Sequence, residues 1–333
     1  MTIRLILGFF LAYFLAIVGT PMARDAALRF GVVDKPDGDL KNHEEPVAYL
    51  GGLAVFAAFL LSIGMTFEFD AELLALLLAS TIVTTVGLID DFGALTPKPK
   101  AVGQVVAVFV LLKAGIMIEV AIIPWWVRIL ITILWLVGMS NAFNLADIMD
   151  GLASGLGVIA ATFLLVVALL NGRWVVAAFT VALIGALLGF LKSNFYPATI
   201  YLGDCGSLFI GLTLGALAMV MDYTHYNPLG WLAPLYILAV PLIDTAYVIV
   251  LRLKSGRKVY YGSPDHFPLR VRKTLDGWTA GTVVVSYAVA VVFGALGLVI
   301  LFLDPMSTMI LTAVVGVVTL GLLVWLATVP MEP

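Results

Sequence analysis

The chain has 333 residues, of which 62% are hydrophobic and only 12% are charged, and its formal net charge is −3. A soluble domain is closer to one quarter charged, so this composition excludes an ordinary soluble protein. The single cysteine, Cys205, excludes an internal disulfide and a cysteine-based zinc cluster, and the few scattered basic residues argue against a nucleic-acid partner.

Apolar segments follow one another along the whole chain, and each approaches the roughly 20 residues that a helix needs to cross a bilayer. We see no internal repeat and no linker that would separate two domains. We therefore predict an all-α polytopic membrane protein, a single domain over residues 1–333 with about eleven transmembrane helices. The predicted helices cover residues 3–22, 49–66, 71–89, 100–118, 126–144, 152–171, 174–193, 207–222, 231–253, 279–303 and 307–329.

The basic residues predict the orientation of these helices. Only Arg4, Lys113, Arg128 and Arg173 lie toward the face of the even-numbered connections, which leaves 14 of the 18 lysines and arginines toward the other face. Cytoplasmic connections carry the excess of positive charge. We expect a multi-pass protein of the plasma membrane, with the N-terminus outside and the C-terminus cytoplasmic. The first segment lacks a signal-peptide cleavage site, so we interpret it as a retained helix.

The connection after the third predicted helix begins with two adjacent acids in the sequence GLIDDFGALTPKPKAVGQ. Asp90 and Asp91 repel each other unless a cation or a basic side chain offsets their charge. Lys98 and Lys100 are close enough in sequence to do so. The pair is either a solvated helix end with a local ion pair or a carboxylate site next to a phosphate or a metal ion.

The fifth connection, NAFNLADIMDGLASG, carries polar residues at a spacing of three. If the helix continues through them, they form one polar stripe. The stripe packs against another helix or lines a polar site, since it is costly in lipid. Gly151 ends the helix or lets a ligand approach the backbone. The stripe consists of Asn141, Asn144, Asp147 and Asp150.

The seventh connection contains one acid between small residues, in the sequence YLGDCGSLFIG. Gly203 and Gly206 flank Asp204, which permits the close approach of a bulky ligand. Asp204 also precedes a predicted helix, whose free N–H groups suit anions. The alternative is that Asp204 or Ser207 simply caps this helix.

The ninth connection is the longest, and its charge and tyrosine pair are typical of an interfacial or partly folded cap. Its His266, Arg270 and Arg272 could bind a diphosphate, because arginine matches phosphate oxygens in a fork. The alternative is a basic loop attracted to anionic lipid. Asp244 lies inside a predicted span, three residues after Pro241. Either it is functional, or it serves helix packing at a proline kink.

On the predicted topology, one membrane face holds a set of residues that could converge at a single site, which indicates a bound divalent cation and phosphate chemistry. The set consists of Asp90, Asp91, Asp147, Asp150, Asp204, Asp265 and His266. The segments GLIDDFG, KAVGQ, NAFNLADIMDGLASG, YLGDCGSLFIG and PLIDTAYVIVLRL, in this order, resemble the polyprenyl-phosphate N-acetylhexosamine-1-phosphate transferases. These membrane enzymes transfer a sugar 1-phosphate from a UDP-sugar to a lipid phosphate. The resemblance runs from about residue 31 to residue 272 and implies an active site on the cytoplasmic face.

The resemblance also implies roles for individual residues. The catalytic set is Asp90, Asp91, Asp204 and His266, in which the paired aspartates orient or deprotonate the lipid phosphate. Asn144 and Asp204 match the ligands of Mg²⁺, for which Mn²⁺ could substitute. The expected substrate-binding residues are Lys41 in the first cytoplasmic loop, Lys100 and Arg270 for the diphosphate, and Asn141, Asp147 and Asp150, of which the two acids belong to the nucleotide site. We favour positioning of the lipid phosphate over proton abstraction, since a phosphate monoester is mostly ionised near neutral pH.

Three positions depart from the family pattern. Ile148 replaces a glycine, Leu269 stands where a second histidine is expected, and the first loop has Val47-Ala48-Tyr49 in place of Thr-Pro-Arg. The histidine loop is therefore reduced to His266. A catalytic role that requires a histidine pair is in doubt for this chain, whereas all the aspartates are kept.

The PLIDT segment favours the subgroup that uses UDP-GlcNAc, with undecaprenyl or another polyprenyl phosphate as acceptor. The alternative is a phospho-MurNAc-pentapeptide transferase of peptidoglycan synthesis, although such proteins carry a Pro-x-His-His-His loop that this chain lacks. From other classes, a transporter or flippase is the main rival and an intramembrane aspartyl protease a weaker one. The expected partners are thus a UDP-N-acetylhexosamine, a polyprenyl phosphate and the lipid bilayer. The oligomeric state is open, with a homodimer as one option.

Overall fold

The computed structural model describes residues 1–34, 47–68, 71–119, 123–256 and 265–331. These residues are mostly α-helical, and they divide into two compact units, Met1–Met221 and Asp222–Pro333. The all-α class predicted from the apolar segments is confirmed. That the whole chain forms one domain stays a prediction.

In its described residues, the first unit is a bundle of eight helices with one short antiparallel pair of strands. Strands β1 (Val33–Asp34) and β2 (Val47–Ala48) pair antiparallel. The helices are α1 (Thr2–Phe30), α2 (Gly51–Thr66), α3 (Ala71–Asp91), α4 (Pro97–Lys113), α5 (Trp125–Ala146), α6 (Leu152–Leu170), α7 (Trp174–Asn194) and α8 (Gly203–Met219).

Helix α8 is the centre of the first unit, because α2, α3, α5 and α6 all pack against it. Nearly every residue from Gly203 to Ala218 is buried. Backbones approach closely here: a Cβ at Gly52 would overlap the backbone of Gly206 and lie 2.7 Å from the carbonyl oxygen of Leu202. Small residues at such contacts let membrane helices pack without a hydrophobic driving force. The beginning of α8 is therefore held in one place by its neighbours.

The second unit contains five helices and one turn of 3₁₀ helix (Gly230–Leu232) in the described residues. Asp304 accepts hydrogen bonds from the backbone N–H groups of Met306 and Ser307 at 3.0 and 3.1 Å, and so caps the last helix. The helices are α9 (Ala233–Ile237), α10 (Ala239–Lys254), α11 (Phe267–Thr274), α12 (Thr279–Ile300) and α13 (Pro305–Ala327).

Each predicted membrane segment overlaps helix in the structure. In the part of the chain that the structure describes, seven helices are long and apolar enough to span a membrane, or eight if one bent pair counts as a span. The chain is thus a multi-pass membrane protein. The number eleven stays a prediction, since α2, α4 and α8, with 16, 17 and 17 residues, are shorter than these spans.

One predicted span is not a continuous helix. We expected one helix over residues 231–253, but the chain bends by 74° between the segment Gly230–Ile237 and α10. The break falls at Leu238, not at Pro241. Proline is tolerated in the first turn of a helix, where its missing N–H has no partner to lose, and its ring disfavours helix one turn earlier. Pro241 therefore lies in the first turn of α10 and does not kink it.

Candidate active site

Four helix ends of the first unit bring one lysine to three oxygen-bearing side chains. The Nζ atom of Lys100, in the first turn of α4, donates to Oδ2 of Asp90 at 2.8 Å and to Oδ1 of Asn144 at 3.2 Å. It also pairs with Oδ2 of Asp204. Asn144 and Asp204 lie 44 and 104 positions from Lys100 along the chain. The structure thus brings these predicted residues together, and their common function stays a prediction.

Asn144 and Asp204 are in direct contact. The Nδ2 atom of Asn144 donates to Oδ1 of Asp204 at 2.7 Å and to Oγ of Ser207 at 3.0 Å. The hydroxyl of Ser207 donates in turn to the carbonyl of Gly203 at 3.0 Å. This network orients both the amide and the carboxylate from the beginning of α8. Ser207 is thus part of the site, and it does not cap the helix.

Asp91 faces a different partner from Asp90. Its two carboxylate oxygens accept the backbone N–H groups of Asp204 at 2.7 Å and Cys205 at 3.1 Å. Leu202, the residue before α8, has no side chain that can cap the helix. A carboxylate from α3 therefore satisfies the free N–H groups of α8. Asp91 fixes the backbone that carries Asp204, whereas Asp90 contacts Lys100.

The polar stripe predicted in the fifth connection is wrong in its second half. Helix α5 ends at Ala146, so Asn141 and Asn144 are helical but Asp147 and Asp150 are not. Both acids accept backbone N–H groups of the next loop instead: Asp147 from Gly203 and Asp150 from Ala198 at 2.8 Å. The spacing predicted one further turn of α5, but in the structure these long-range hydrogen bonds replace that turn.

Asn141 lies beside the site and pairs with Gln104 of α4. Its Nδ2 donates to Oε1 of Gln104 at 2.9 Å and to the carbonyl of Val137 at 2.8 Å. Gln104 Nε2 donates back to Oδ1 of Asn141 at 3.3 Å. The reciprocal amide pair joins α4 to α5 close to Lys100. Its substrate-binding role stays a prediction.

Tyr49 and Tyr201 are a feature that sequence reasoning did not assign to the site. Their rings lie 5.7 Å apart, and the Tyr201 backbone bonds to Ala48 at 2.8 Å and to Gly51 at 3.1 Å. Burial, and then the charge of Asp150, raises the pKa of Tyr201 to about 12. Tyr49 stands at one of the three departures from the family pattern. The departure thus falls next to the acidic loops.

The remaining predicted residues are not among the described residues of the first unit. Lys41 is outside the described residues. His266 and Arg270 belong to the second unit, where Nδ1 of His266 lies 2.6 Å from Oδ2 of Asp244. Arg270 donates to Asp265 at 2.8 Å and to three carbonyls at the end of α13, those of Leu326, Ala327 and Val329 at 3.2, 3.4 and 2.7 Å. Contacts of His266 and Arg270 with a diphosphate stay predictions.

The donor set fits a hard divalent cation. Among the described residues, no group of three or more His, Cys, Asp or Glu side chains is arranged to hold a metal ion. Oxygen atoms of Asp90, Asn144 and Asp204 nevertheless converge on one positive group, the ammonium of Lys100. Carboxylate and amide oxygens are the ligands that Mg²⁺ prefers, usually with water and phosphate completing its shell.

Burial beside other acids has a measurable consequence at Asp147. Burial raises the pKa of this carboxyl well above its ordinary value, and the charges of Asp204 and Asp91 raise it further. When the folded-state pKa exceeds the unfolded one, stability is greatest below the unfolded value, about 3.9. It is lost as the pH rises toward the folded value.

We therefore predict that Asp147→Asn stabilises the metal-free protein at pH 7, because asparagine still accepts from Gly203 but carries no charge. Each kcal/mol relieved would raise Tm by about 2–4 °C. Thermal unfolding followed by tryptophan fluorescence measures this, with Asp222→Asn, at an exposed position, as the matched control. The gain should vanish near pH 4, and an equal gain at both pH values would contradict the account.

Comparisons with known proteins give the family. Residues 73–222 match glycosyl transferase family 4. A probable undecaprenyl-phosphate N-acetylglucosaminyl 1-phosphate transferase of Bacillus subtilis is 30% identical over 90% of this chain and 85% of the relative. This chain belongs to the polyprenyl-phosphate N-acetylhexosamine-1-phosphate transferases. The family match contains Asp90, Lys100, Asn144 and Asp204.

Other relatives of this transferase family are similar over most of their length. A decaprenyl-phosphate N-acetylglucosaminephosphotransferase of Mycolicibacterium smegmatis is 32% identical over 90% of this chain and 83% of the relative. A phospho-N-acetylmuramoyl-pentapeptide-transferase of Halalkalibacterium halodurans is 33% identical over 86% of this chain and 92% of the relative. Identity alone therefore does not separate the two sugar classes.

Proposed function

We propose that this chain transfers N-acetylglucosamine 1-phosphate from UDP-GlcNAc to undecaprenyl phosphate or a similar polyprenyl phosphate, and releases UMP. The observation that carries the proposal is the convergence of Asp90, Asn144 and Asp204, from three helices, on Lys100 of a fourth. A site that gathers one fixed cation and several hard oxygen ligands suits two phosphate reactants. The product would start a lipid-linked glycan of the cell envelope.

The reaction exchanges one phosphoanhydride bond for another. An oxygen of the lipid phosphate attacks the β-phosphorus of UDP-GlcNAc, and the bond from that phosphorus to the oxygen bridging toward UMP breaks. Both reactants are anions, so their repulsion has to be offset. Lys100 carries positive charge to the diphosphate, while Asp90 orients the lipid phosphate through the same lysine. Neither group needs to take up a proton, because a phosphate monoester is largely ionised near neutral pH.

Asn144 and Asp204 would hold Mg²⁺, with Mn²⁺ as a substitute. When bound, the ion supplies charge that stabilises the phosphoryl oxygens. Asp91 and Asp147 serve this arrangement indirectly, since they bind the N–H groups at the beginning of α8 and keep Asp204 in place. We also propose that the site faces the cytoplasm, with the N-terminus outside and the C-terminus inside, on the distribution of basic residues.

GlcNAc is favoured over MurNAc-pentapeptide by the chain's own residues. The ninth connection keeps only His266 and has Leu269 where a second histidine is expected. The PLIDT segment that contains Asp244 is typical of the subgroup that uses the simpler sugar. Relatives named for GlcNAc transfer agree with this choice. The pentapeptide substrate remains the second candidate because one relative of similar identity is named for it.

We predict that the purified protein in detergent releases UMP from UDP-GlcNAc only when undecaprenyl phosphate is present. Removal of divalent ions with EDTA should abolish release, and added Mg²⁺ or Mn²⁺ should restore it. UDP-MurNAc-pentapeptide, tested in parallel, reports the alternative sugar. Release that resists EDTA would contradict the metal site, and the absence of a lipid product from every UDP-sugar would favour the transporter.

A further inference from the structure

A buried carboxylate of the second unit has no part in the mechanism above. Asp244 lies in α10 and is only 2% exposed. An ionisable residue inside a membrane-spanning segment is costly, so it normally serves a function or is held by partners. In this structure its partners are two consecutive residues, His266 and Phe267.

Both oxygens of Asp244 are used at the beginning of α11. Oδ2 lies 2.6 Å from Nδ1 of His266, and Oδ1 accepts the backbone N–H of Phe267 at 2.9 Å. His266 is itself only 2% exposed. The two bonds attach the imidazole ring and the peptide that follows it to the same rigid helix.

The carboxylate also determines which ring nitrogen carries a proton. An ionised carboxylate can only accept hydrogen bonds, so the short contact requires the proton on Nδ1 of His266. Nε2 then remains the nitrogen that can exchange a hydrogen bond or a proton with a ligand. The neighbouring cation, Arg270, directs its guanidinium to Asp265 and to carbonyls of α13. His266 is therefore the side chain that Asp244 orients.

We infer that Asp244 is a positioning residue that holds His266 with its proton on Nδ1 and leaves Nε2 as the nitrogen that acts on a ligand. The inference rests on the proposed function in one respect: His266 has to serve the transfer reaction. Asp244 acts on the reaction through His266 and contacts no substrate itself. Asp244 sets the orientation and tautomer of the His266 ring and does not select the substrate.

Asp244→Asn separates this role from simple helix capping. The amide oxygen of asparagine can still accept the N–H of Phe267, so the cap at α11 is kept. The amide nitrogen now donates to Nδ1, which moves the ring proton to Nε2. If Asp244 were only a cap, this variant would behave like the wild type. Asp276→Asn, at an exposed position of the same connection, is the matched control.

The test combines ¹⁵N-histidine NMR with steady-state kinetics of the full chain in detergent. The chain has only 3 histidines, so His266→Gln assigns the relevant signal. We expect an Nδ1-protonated ring in the wild type and an Nε2-protonated ring in Asp244→Asn. We also expect kcat of that variant to fall by about 10²–10⁴-fold, the usual share of a positioned acid or base, with KM for UDP-GlcNAc unchanged.

The double variant Asp244→Asn/His266→Gln should be no slower than His266→Gln alone, because both changes remove one function. The inference would be overturned if the two single-variant losses of kcat multiplied in the double variant. It would equally be overturned by an unchanged tautomer or by wild-type turnover in Asp244→Asn. The spectrum decides the orientation of His266 without turnover. Failure of the proposed function would instead appear as a wild-type protein that forms no lipid product while its His266 is protonated on Nδ1.

Discussion

Asp204→Asn is expected to lower UMP release by about 10³-fold, the upper range for the loss of one electrostatic group in an active site. Asparagine has nearly the same shape but no charge, and one of its two terminal atoms is a donor. In either orientation that donor faces another, either Nζ of Lys100 or Nδ2 of Asn144. The variant thus loses the anion that pairs with Lys100 and one bond of the network.

The fold should survive this change, since the Asp204 side chain is 30% exposed and its backbone N–H stays bound to Asp91. Initial rates of UMP release and thermal unfolding, measured on the same preparation, separate loss of activity from loss of structure. Asp222→Asn, the same chemical change at an exposed position outside the site, should leave both unchanged. A variant at position 204 that kept a tenth of the wild-type rate would exclude Asp204 from the reaction.

Gly87→Ala is expected to disable the site without touching any charged residue. Gly87 lies in α3 four residues before Asp91, on the same face of the helix. A Cβ at this position would lie 2.5 Å from the backbone C and O of Asp204 and the N of Cys205. These are backbone atoms and cannot rotate away, so α8 has to move. Its N–H groups would then separate from Asp91.

Overpacking of this kind costs about 1–3 kcal/mol of folding free energy, and a displacement of about 1 Å in a catalytic group can cost about 10²-fold in rate. Both effects are measurable, by thermal unfolding and by UMP release. The matched control is Gly138→Ala in α5, where a Cβ meets no heavy atom within 4 Å. Equal behaviour of the two variants would show that the contact between α3 and α8 does not hold the site.

The membrane class was predictable because it follows from local properties of the sequence, whereas the members of the site were expected from the family resemblance. Apolar length predicts helices regardless of their partners, and acids at the ends of such helices can satisfy their charge only at a membrane face. Lys100, Asn144 and Asp204 were expected in one site on the family resemblance, and they are in contact. The side chains are complementary, because the ammonium of Lys100 donates hydrogen bonds that the carboxylate of Asp204 and the amide oxygen of Asn144 accept.

The different roles of Asp90 and Asp91 could not be predicted. Adjacent residues on a helix point about 100° apart, so which of two identical acids faces Lys100 depends on how α3 is rotated against α8. That rotation is set by remote contacts such as Gly87 with the Asp204 backbone. The prediction of a helical stripe through Asp150 was wrong for a similar reason, because this carboxylate accepts the backbone N–H of Ala198, 48 residues away. Asp244 was left open between function and packing, and its partner is His266, 22 residues later.

The central claim is that the β-phosphorus of the nucleotide sugar moves to the lipid together with the sugar. UDP-GlcNAc labelled with ³²P in the β-phosphate tests this directly when it is incubated with undecaprenyl phosphate, Mg²⁺ and the purified protein. Our account predicts labelled lipid diphosphate and unlabelled UMP, with no labelled lipid from Asp204→Asn. Label that stays in released UDP would mean transfer of the sugar alone, and it would contradict the account.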